Sequence, residues 1–259
     1  MALKLSACLR NAMLERGDLS NEMSNCVLKL YSGAQPATAE TAPSGTLLCT
    51  YSGASGALTR EVLSQGTVTI TGAAGSIDTL TVNSLEIMGS STAFNTSLTQ
   101  TVLDIAAKIN RNPKNRLFVA SGSVGVLTIT AKPGLGTLPN GWVVASTATT
   151  LGRTDVNMGT TTAGVAAVNG LLWGDVAAGV LSKHPTQVWS GVAGATGTAG
   201  WFRFEASVTD AGGTDSTESI KRIDGSVGTS GAELNMANTT ITSAITQTVD
   251  SFTLTLPTS

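Results

Sequence analysis

Alternating apolar and polar positions dominate this sequence and predict short β-strands. The strongest case is the segment 197–207, where Phe202 and Phe204 flank Arg203. Trp201 precedes them and adds further apolar area. Alternation of this kind is typical of a strand that buries one face and leaves the other in water. Because these aromatic residues stand so close together, we expect a hydrophobic core to form around this strand.

Patterns of the same kind predict further strands, most of them bounded by Gly, Ser, Asn or Pro. In chain order they cover 26–31, 46–51, 67–71, 78–83, 85–88, 117–120, 126–130, 142–145, 171–173, 187–189, 220–227, 234–236, 239–242 and 249–256. Within 220–227 the pair Asp224-Gly225 is typical of a hairpin turn, so we expect the chain to reverse there. The last segment alternates over its whole length and is predicted to be one terminal strand that Pro257 ends.

Two segments show the apolar spacing of an amphipathic helix. The first covers 3–16 and is predicted to end at Gly17. Its apolar stripe consists of Leu5, Cys8, Leu9, Ala12 and Met13. We expect this helix to pack on the chain's own sheet, and docking on a partner subunit is the alternative. The second is capped by one of the residues 95–97 and stopped by Asn112-Pro113. Its stripe consists of Val102, Ile105, Ala106 and Ile109.

The order of these elements divides the chain. The stretch 66–160 has the order β-β-β-α-β-β-β, which predicts a compact α+β module. The flanking parts, 1–65 and 161–259, each hold too few strands for a sandwich, but together they supply about eight. We therefore predict a mainly β fold: a discontinuous antiparallel β-sandwich, jelly-roll-like, with an inserted α+β module. A single elongated β array is the alternative. The segments 35–43 and 160–164 are predicted to be a loop and a linker.

Low charge narrows the classes of function. Charged residues make up 12% of the chain, about half the usual share, and the net charge is −2. Gly, Ala, Ser and Thr replace them, which favours a subunit whose strands are buried in an assembly. Without a basic block, we do not expect a surface that binds nucleic-acid phosphates. The chain contains no apolar run of about eighteen residues, so we predict no membrane span. Arg10, Asn11 and Glu15 interrupt the apolar stretch that a secretory signal would need.

Cysteine and histidine offer little for catalysis. Cys8, Cys26 and Cys49 are odd in number and widely spaced, which argues against a zinc site and a disulfide framework. We predict buried free thiols made in a reducing cytoplasm. The single histidine, His184, precedes Pro185 in a polar segment and is predicted to be a surface residue. As the base of a Ser-His-Asp triad it would need a nucleophile motif such as G-x-S-x-G, which the chain lacks.

Acidic residues are the remaining candidates for chemistry. A calcium site needs clustered oxygen ligands, and the best candidates are Asp210, Asp215 and Glu218. Because their spacing is loose, we favour a solvated hairpin loop. A glycan hydrolase needs two carboxylates in one cleft, and the candidates are Asp175, Glu205, Asp210 and Asp224. Since the sequence brings no two of them together, we predict no catalytic, cofactor-binding or metal-binding residue.

Two further motifs have a structural explanation. Trp173, Trp189 and Trp201 carry rings that stack on sugars, but their strand-like surroundings favour core packing. Gly134 and Gly136 stand between prolines, without the G-x-G-x-x-G spacing or the following Lys-Ser/Thr of a phosphate loop. We therefore expect neither a sugar-binding platform nor a phosphate site from these residues alone.

The flanking parts of the chain carry motifs of a known class of proteins. The first part holds Val27-Leu-Lys-Leu-Tyr-Ser-Gly-Ala-Gln-Pro36, followed by Ala42-Pro-Ser-Gly-Thr-Leu-Leu48. The second holds Gly197-Thr-Ala-Gly-Trp-Phe-Arg-Phe204 and Ser251-Phe-Thr-Leu-Thr-Leu256. A short helix, a strand with Tyr-x-Gly, a proline-containing loop and Gly-Thr-Leu-Leu together resemble the opening of small virion structural proteins of tailed bacteriophages.

The middle of the chain carries a second resemblance. From Gly66 it shows a strand pair, the helix motif Ala106-Ala-Lys-Ile-Asn110 and the strand motif Pro139-Asn-Gly-Trp-Val-Val144. This combination is similar to a module that recurs in phage tail and virion proteins. Both resemblances rest on residues that shape a fold, and no binding residues of a family carry over.

The resemblance implies a non-enzymatic structural component of a tailed-phage virion, present in multiple copies. Capsid decoration or cement is the first expectation, because the chain lacks the fixed-period repeats of a fibre; a neck, tail or baseplate protein is the alternative. A host-receptor or glycan-binding module and a polysaccharide depolymerase are the rival functions. The implied partners are other virion proteins (the major capsid protein, or neck and tail subunits) and further copies in a homo-oligomer, without nucleic acid, membrane or cofactor. The implied location is the virion, after synthesis in the host bacterial cytoplasm.

Overall fold

A computed structural model of the chain describes residues 3–16 and 19–255. It confirms the predicted mainly β fold, with several antiparallel sheets and a short N-terminal helix. Two of the predicted end signals, Gly17 and Pro257, lie outside the described residues.

The chain folds as two compact units. Unit 1 comprises the described residues up to Arg60 and from Ala167 onward, and unit 2 is Glu61–Ala166. Unit 2 extends beyond the predicted 66–160 at both ends, because residues 62 and 165 still bond each other through their backbones.

The helices and strands are numbered in chain order. Unit 1 begins with β1 (Lys4–Leu5), α1 (Ala7–Arg16), α2 (Leu19–Glu22), β2 (Val27–Ser32) and β3 (Leu47–Gly53). Unit 2 holds β4 (Gln65–Thr71), β5 (Ser76–Val82), β6 (Leu85–Glu86), β7 (Thr92–Ala93), α3 (Leu98–Arg111), β8 (Phe118–Ser123), β9 (Val126–Ala131), β10 (Val144–Thr149) and β11 (Gly152–Val156). Unit 1 resumes with β12 (Trp173–Ala177), β13 (Val180–Lys183), β14 (Trp189–Val192), β15 (Gly197–Glu205), β16 (Arg222–Gly228), β17 (Leu234–Asn235), β18 (Thr240–Ile241), β19 (Thr246–Val249) and β20 (Thr253–Thr255).

Two sheets of unit 1 enclose one hydrophobic core. The larger has the order β1-β16-β15-β2-β3-β14-β19, with β17 paired to β16 and β18 to β15; the smaller has the order β12-β13-β20. Leu181 and Leu254 of the smaller sheet belong to the same buried cluster as Leu28 and Phe204 of the larger one. The arrangement is therefore sandwich-like, and both parts of the unit contribute strands to it.

Aromatic rings fill this core. The ring centroid of Trp173 lies 5.2 Å from that of Trp189 and 5.3 Å from that of Phe204. Trp201 points to the opposite face of β15, where it is buried and stacks on Tyr31 with the centroids 4.5 Å apart. Rings at these separations attract each other beyond the gain from burial. The prediction that the three tryptophans pack inside the protein is confirmed.

The strand β15 is buried on both faces, so the prediction of one face in water is wrong. Phe202 and Phe204 point to the core, while Arg203 between them is 0% exposed on the other side. An apolar–polar alternation indicates two different faces, but it does not show that the polar face meets water. Here the polar face is covered by protein, and its charges are balanced by ion pairs.

The strand β16 runs straight through Asp224 and Gly225, so the hairpin turn predicted there is also wrong. Asp224 stands opposite Arg203 on β15. Gly225 stands opposite Phe202, and a Cβ at this position would lie 2.4 Å from Cζ of that ring. The glycine thus provides room for an aromatic ring rather than freedom for a turn.

The prediction of a helix from residue 3 is wrong for the first residues of this segment. Lys4 and Leu5 form β1 and pair with β16, and the helix begins only at Ala7. Leu9 is fully buried in the core of unit 1, and Met13 packs against that core. The expectation that this helix packs on the chain's own sheet is therefore confirmed.

The predicted terminal strand 249–256 is divided in the structure. β19 ends at Val249 and pairs with β14 in the larger sheet, whereas β20 begins at Thr253 and pairs with β13 in the smaller sheet. Phe252 lies between them in the core. The chain changes sheets at this point, which an unbroken alternation of residues does not reveal. Residue 256 lies outside the described part.

Unit 2 is built from α3 and two four-stranded sheets. The sheets have the orders β10-β5-β6, with β7 paired to β5, and β11-β4-β9-β8. The predicted stripe of α3 is buried in one core with both sheets: Val102, Ile105, Ala106 and Ile109. The hydroxyl of Ser97 caps the helix by accepting the N–H of Gln100, and Asn112 is the C-cap. The predicted helix is confirmed, and β11 is a strand that the sequence pattern missed.

Candidate functional site

The polar face of β2, β15 and β16 carries a layer of charged side chains. We call it the ion-pair layer, and its members are Lys29, Arg60, Arg203, Glu205, Asp210, Arg222 and Asp224. Cross-strand register places Arg203 opposite Asp224 and places Glu205 opposite Arg222. Opposite charges on neighbouring strands stabilise a sheet, so the register itself brings the layer together.

The pair of Arg203 and Asp224 is fully buried. Nε and Nη2 of Arg203 donate to the two carboxylate oxygens of Asp224, both at 2.7 Å. Nη2 also donates to the carbonyl of Thr41 at 3.0 Å, and the guanidinium carbon lies 5.4 Å from the ring centroid of Trp201. Two parallel bonds to one carboxylate fix the direction of both partners as well as their distance.

Arg222 and Asp210 form a second pair of the same kind. Nε and Nη2 of Arg222 donate to the two oxygens of Asp210, both at 2.6 Å. Nη1 donates to the carbonyls of Ala39 and Glu40 at 3.2 Å, and Nη2 donates to that of Gly213 at 2.8 Å. The buried guanidinium therefore has partners on several sides.

Glu205 is shared between two cations. Its carboxylate lies 2.7 Å from Nζ of Lys29 and 2.5 Å from Nη2 of Arg60, and its side chain is completely buried. Nη1 of Arg60 also donates to the carbonyl of Ala206 at 2.7 Å. Removing a carboxylate from water is costly unless cations and hydrogen bonds surround it, and these two cations meet that need.

The segment between β2 and β3 covers the ion-pair layer, where the sequence predicted a loop at 35–43. Its carbonyl groups, which no neighbouring strand engages, accept hydrogen bonds from both buried arginines. The indole N–H of Trp201 donates to the carbonyl of Ser44 at 3.2 Å. Backbone groups that leave regular structure need partners when they are buried, and the arginines supply them here.

Burial and pairing act in opposite directions on the charges of the layer. Burial opposes the ionisation of Asp210, but the hydrogen bonds from Arg222 and from the N–H of Gly212 outweigh it and hold the pKa of this carboxyl below its usual value. Burial also disfavours charge on Arg222, yet Asp210 raises the pKa of this guanidinium. At Asp224 burial prevails over the bonds from Arg203, so the pKa of its carboxyl is raised.

The geometry of the layer is that of a structural network. The structure brings three of the four candidate carboxylates into it, while Asp175 is exposed on β12 in the other sheet. The three in the layer, Glu205, Asp210 and Asp224, each accept hydrogen bonds from a cation. A glycan hydrolase needs carboxyl groups that reach both a sugar and water, and buried paired carboxylates do not offer this.

The loop with the calcium candidates is largely exposed, as predicted, but two of its three acidic side chains turn inward. Asp210 is 8% exposed and Asp215 is 5% exposed, whereas Glu218 lies on the surface. The carboxylate of Asp215 accepts the N–H of Ile220 at 2.7 Å and the hydroxyl of Thr217 at 3.1 Å. Within 3–16 and 19–255 no group of three or more His, Cys, Asp or Glu side chains is placed to hold a metal ion.

His184 takes part in a local turn. Its ring is half-buried, and Nδ1 lies 3.2 Å from the hydroxyl oxygen of Thr186, two residues further along. Its backbone N–H donates to the carbonyl of Leu172 at 3.1 Å. The structure thus ties His184 to the segment that connects β13 and β14, and its ring contact there is to a threonine rather than to a carboxylate.

The three cysteines are free thiols, as predicted. Cys26 and Cys49 are buried, whereas Cys8 is half-buried. Burial raises the pKa of the Cys26 thiol to about 12 and that of the Cys49 thiol to about 11. Because the thiolate is the reactive form, Cys26 and Cys49 act as small apolar core residues at neutral pH.

Gly134 and Gly136 do form an anion-binding loop, but the chain fills it with its own carboxylate. The N–H groups of Gly134 and Gly136 donate to Oε1 of Glu61 at 2.8 and 3.0 Å, and Gly134 also reaches Oε2 at 3.0 Å. Successive backbone N–H groups that converge in this way attract an anion. No sequence motif links Glu61 to glycines so far along the chain, so this contact was missed.

A cavity of about 430 Å³ lies beside α3 in unit 2. Its lining residues are Met88, Gly89, Ser90, Asp104, Ala107, Lys108, Arg111 and Asn112. Asp104 accepts hydrogen bonds from Asn95 and Gln100, both at 2.8 Å, and Lys108 donates to the carbonyl of Ser91. Two of the three charged residues of the lining therefore bond to the protein itself.

Comparison of the chain with protein-family models, with curated proteins and with solved structures finds no match in any of the three. None of the helices in the described part combines the length and the apolar character needed to cross a membrane.

Proposed function

We propose that this chain is a non-enzymatic structural component of a tailed-phage virion, present in multiple copies, as a capsid decoration or cement protein. The observation that carries the proposal is where the chemically useful side chains lie. The carboxylates Glu205, Asp210 and Asp224 are buried in ion pairs, and Trp189 and Trp201 are fully buried. A depolymerase and a glycan-binding module would need such groups on an accessible surface.

The composition of the surface supports an assembly role. Only 12% of the residues are charged, and several of these charges lie inside unit 1. Large apolar side chains stand exposed at separate places, among them Leu14, Val124, Leu138 and Val176. A surface with few charges loses little hydration when it is covered by another subunit, so it suits a protein that works at interfaces.

Copy number explains how such a protein attaches. Each contact of a decoration protein with the shell can be modest, because neighbouring copies and repeated shell sites raise the effective concentration of every further contact. The sandwich of unit 1 or the N-terminal helix would make the contact with the scaffold, and unit 2 would project or bridge neighbours. A neck, tail or baseplate position is the alternative within the same proposal.

Quantitative peptide mass spectrometry of the purified particles tests this function. Heads and tails are separated after mild disruption, and the chain is counted relative to the major capsid protein. We expect many copies in the head fraction, whereas a few copies in the tail fraction would favour the neck or tail alternative. A replication enzyme of the same phage serves as the control for contamination. If the chain is absent from the particles, the virion proposal fails.

A further inference from the structure

Side chains close the strand edges of unit 2. An unpaired edge strand exposes a row of N–H and C=O groups with which another chain can pair. On β8 the amide of Asn115 bonds both backbone groups of Phe118, and the amide of Asn110 bonds both backbone groups of Ala120. The outward backbone groups of Phe118 and Ala120 are therefore already engaged within unit 2.

The strands β10 and β11 are protected by similar devices. Asp155 accepts the N–H and the hydroxyl of Ser146 at 2.8 and 2.7 Å, and Asn157 accepts the N–H of Val144 at 3.1 Å. β11 itself carries a charged pair on its surface, with Nη1 of Arg153 3.2 Å from Asp155. Charges and side-chain bonds at an edge are common means of preventing association.

Three edges of unit 1 are short or interrupted. β1 has two residues and leads into α1, and β20 has three residues. β12 carries the charged side chain of Asp175, and its pairing with β13 shifts register between residues 173 and 176. Very short strands, charges and bulges all reduce the tendency of an edge to pair, so these edges resemble those of unit 2 in effect.

β19 stands at one end of the larger sheet and has none of these devices. It pairs with β14 from Thr246 to Val249 without a register shift. From Ala237 to Val249 the sequence contains neither a charged residue nor a proline. Within the described part of the chain, no side chain is hydrogen-bonded to the backbone of β19. This edge is therefore open, unlike those of β1, β12 and β20.

The pairing with β14 determines which backbone groups of β19 remain available. Ala193, which directly follows β14, donates to the carbonyl of Ile245 and accepts from the N–H of Ala244, so its backbone bonds towards the segment that leads into β19. Antiparallel neighbours bond at every second residue. The backbone groups of Gln247 and Val249 thus face β14. Those of Thr246 and Thr248 point outward.

Apolar side chains adjoin this edge. Val192, which stands opposite Thr246, is 56% exposed, and Ile245, which precedes it, is 53% exposed. Exposed valine and isoleucine beside free backbone groups provide both contributions that strand addition uses, namely main-chain hydrogen bonds and side-chain contacts. An isolated edge with these features is the pattern that soluble β proteins avoid.

We propose that β19 pairs with β19 of a second copy of this chain, antiparallel and about a two-fold axis at Gln247. Thr246 of each copy then bonds Thr248 of the other, which uses the outward N–H and C=O groups of both residues. The charged residue nearest to the edge, Asp250, faces Ala244 of the second copy rather than another Asp250. The pairing extends the larger sheet continuously from one copy into the next.

The charge pattern selects a second copy as the occupant. An uncharged edge meets no like-charge repulsion when it pairs with itself, and it offers nothing that would attract a highly charged foreign segment. A two-fold arrangement also satisfies the same groups on both sides, as isologous interfaces require. The pairing concerns the free protein and goes beyond the proposed function, so it can be true or false whether or not the chain is a virion component.

Sedimentation velocity of the full chain tests the pairing. The wild type is expected to approach twice the 26.2 kDa of one chain as its concentration rises to the millimolar range. Thr246→Lys with Thr248→Lys places lysine opposite lysine in both cross-strand pairs. This double variant is expected to raise the dissociation constant at least about tenfold. Both threonines are exposed, so the fold of the monomer is retained.

A charge-reversed partner makes the test specific. Thr246→Glu with Thr248→Glu is also expected to dissociate, whereas an equimolar mixture of the two charged double variants is expected to restore the dimer. The matched control is Thr253→Lys with Thr255→Lys, two exposed threonines at the same spacing on β20. This control is expected to dimerise like the wild type.

Hydrogen exchange locates the contact. The amides of Thr246 and Thr248 are expected to gain protection with concentration, in step with the mass. A wild type that stays at 26.2 kDa throughout the range overturns the proposal, and so does a dimer that Thr246→Lys with Thr248→Lys leaves intact. Protection of these amides only after another protein is added would assign the edge to a different chain and would also overturn it.

Discussion

Unit 1 keeps oppositely charged side chains together inside a β-sandwich, and single residues decide whether this arrangement is tolerated. Arg203 and Asp224 have no exposed side-chain surface, and each is fixed by two hydrogen bonds to the other. A buried ion pair contributes little compared with a well-packed apolar pair, but a buried charge without its partner is strongly destabilising. Removing one charge of the pair should therefore cost much more stability than removing both.

Arg203→Met alone is expected to lower the free energy of unfolding by about 3–5 kcal/mol, because it leaves Asp224 charged, buried and unpaired. The double variant R203M/D224L, which removes both charges, is expected to regain most of this loss. Urea unfolding followed by tryptophan fluorescence measures both. Arg153→Met is the matched control, because Arg153 is partly exposed in its pair with Asp155, and we expect a loss of at most about 1 kcal/mol. A double variant as unstable as R203M would contradict the account.

Asp210 makes the stability of unit 1 depend on pH in the acidic range. Its folded-state pKa is lowered, so the unfolded chain takes up the proton first as the pH falls. The stabilisation is complete above the unfolded value of about 4 and is lost as the pH falls through the lower folded-state pKa. The free energy of unfolding should therefore rise with pH in this acid range, and Asp210→Asn should flatten that rise.

The slope of stability against pH, rather than its absolute level, is the quantity to compare, since D210N also leaves Arg222 without its carboxylate. Denaturant unfolding at a series of pH values provides it. Asp175→Asn, which removes an exposed carboxyl on β12, is the control and is expected to keep the wild-type slope. A D210N protein with an unchanged slope would show that another group is responsible.

Local sequence could not show that these residues form one layer. Asp210 is separated from Arg222 by a loop with many small polar residues, which suggested a solvated hairpin. The alternating pattern around Arg203 predicted a solvent-exposed side chain. Their burial depends on the covering segment between β2 and β3, whose carbonyl groups accept from both arginines. The free cysteines and buried tryptophans were predictable because their own neighbours are apolar.

At the scale of elements, side-chain amides replace missing neighbour strands. Asn110 on α3 accepts the N–H of Ala120 at 2.8 Å and donates to its carbonyl at 2.9 Å. The helix therefore does more than bury its apolar stripe, because its last turn also completes the hydrogen bonding of the β8 edge. The Ala-x-x-Ile-Asn pattern of α3 thus has a physical explanation in Ile109 for the core and Asn110 for the edge.

Asn110→Ala is expected to lower the free energy of unfolding of unit 2 by about 1–3 kcal/mol, because it removes both partners of a backbone pair. Hydrogen exchange at the amide of Ala120 is expected to become faster in the folded state. Arg111→Ala is the control, since this exposed neighbour on α3 makes no hydrogen bond to β8. Unchanged exchange at Ala120 in N110A would show that Asn110 does not protect the edge.

The elements that local pattern predicted best are those whose signals are complete within one segment. α3 has its stripe, its cap at Ser97 and its stop at Asn112 close together. The errors lie where the partner is distant: 249–256 is divided because its two ends join different sheets. Asp224-Gly225 resembles a turn, but distant Arg203 and Phe202 hold it in a strand. Long-range pairing decided each of these cases.

At the scale of the whole molecule, the two chain segments that connect the units are hydrogen-bonded to each other on both sides of the unit boundary. Thr59 bonds Val168 within unit 1, and Val62 bonds Val165 within unit 2. Replacing residues 61–166 by Asn-Gly, a favoured two-residue hairpin, is expected to leave unit 1 folded. Its core contains no residue from the deleted part. Near-ultraviolet circular dichroism and cooperative urea unfolding check this result.

The matched control deletes the predicted 66–160 instead. It leaves two pieces of unit 2 that still bond each other at Val62 and Val165. The carboxylate of Glu61, however, loses the N–H groups of Gly134 and Gly136, so this variant is expected to be less stable than the first deletion. The excised 61–166 is expected to fold by itself around α3, because both of its sheets belong to one core. If the first deletion lacks a cooperative transition, the two units do not fold independently.

We propose that the chain is a structural part of a virion and is present there in many copies. Cryo-electron microscopy of the purified particles tests it most directly, by fitting the sandwich of unit 1 and the α3 module of unit 2 into density. We expect this density at many symmetry-related positions on the capsid shell. A ring at the neck or density along the tail would keep the virion role but contradict capsid decoration. Particles that contain no such density would contradict the claim itself.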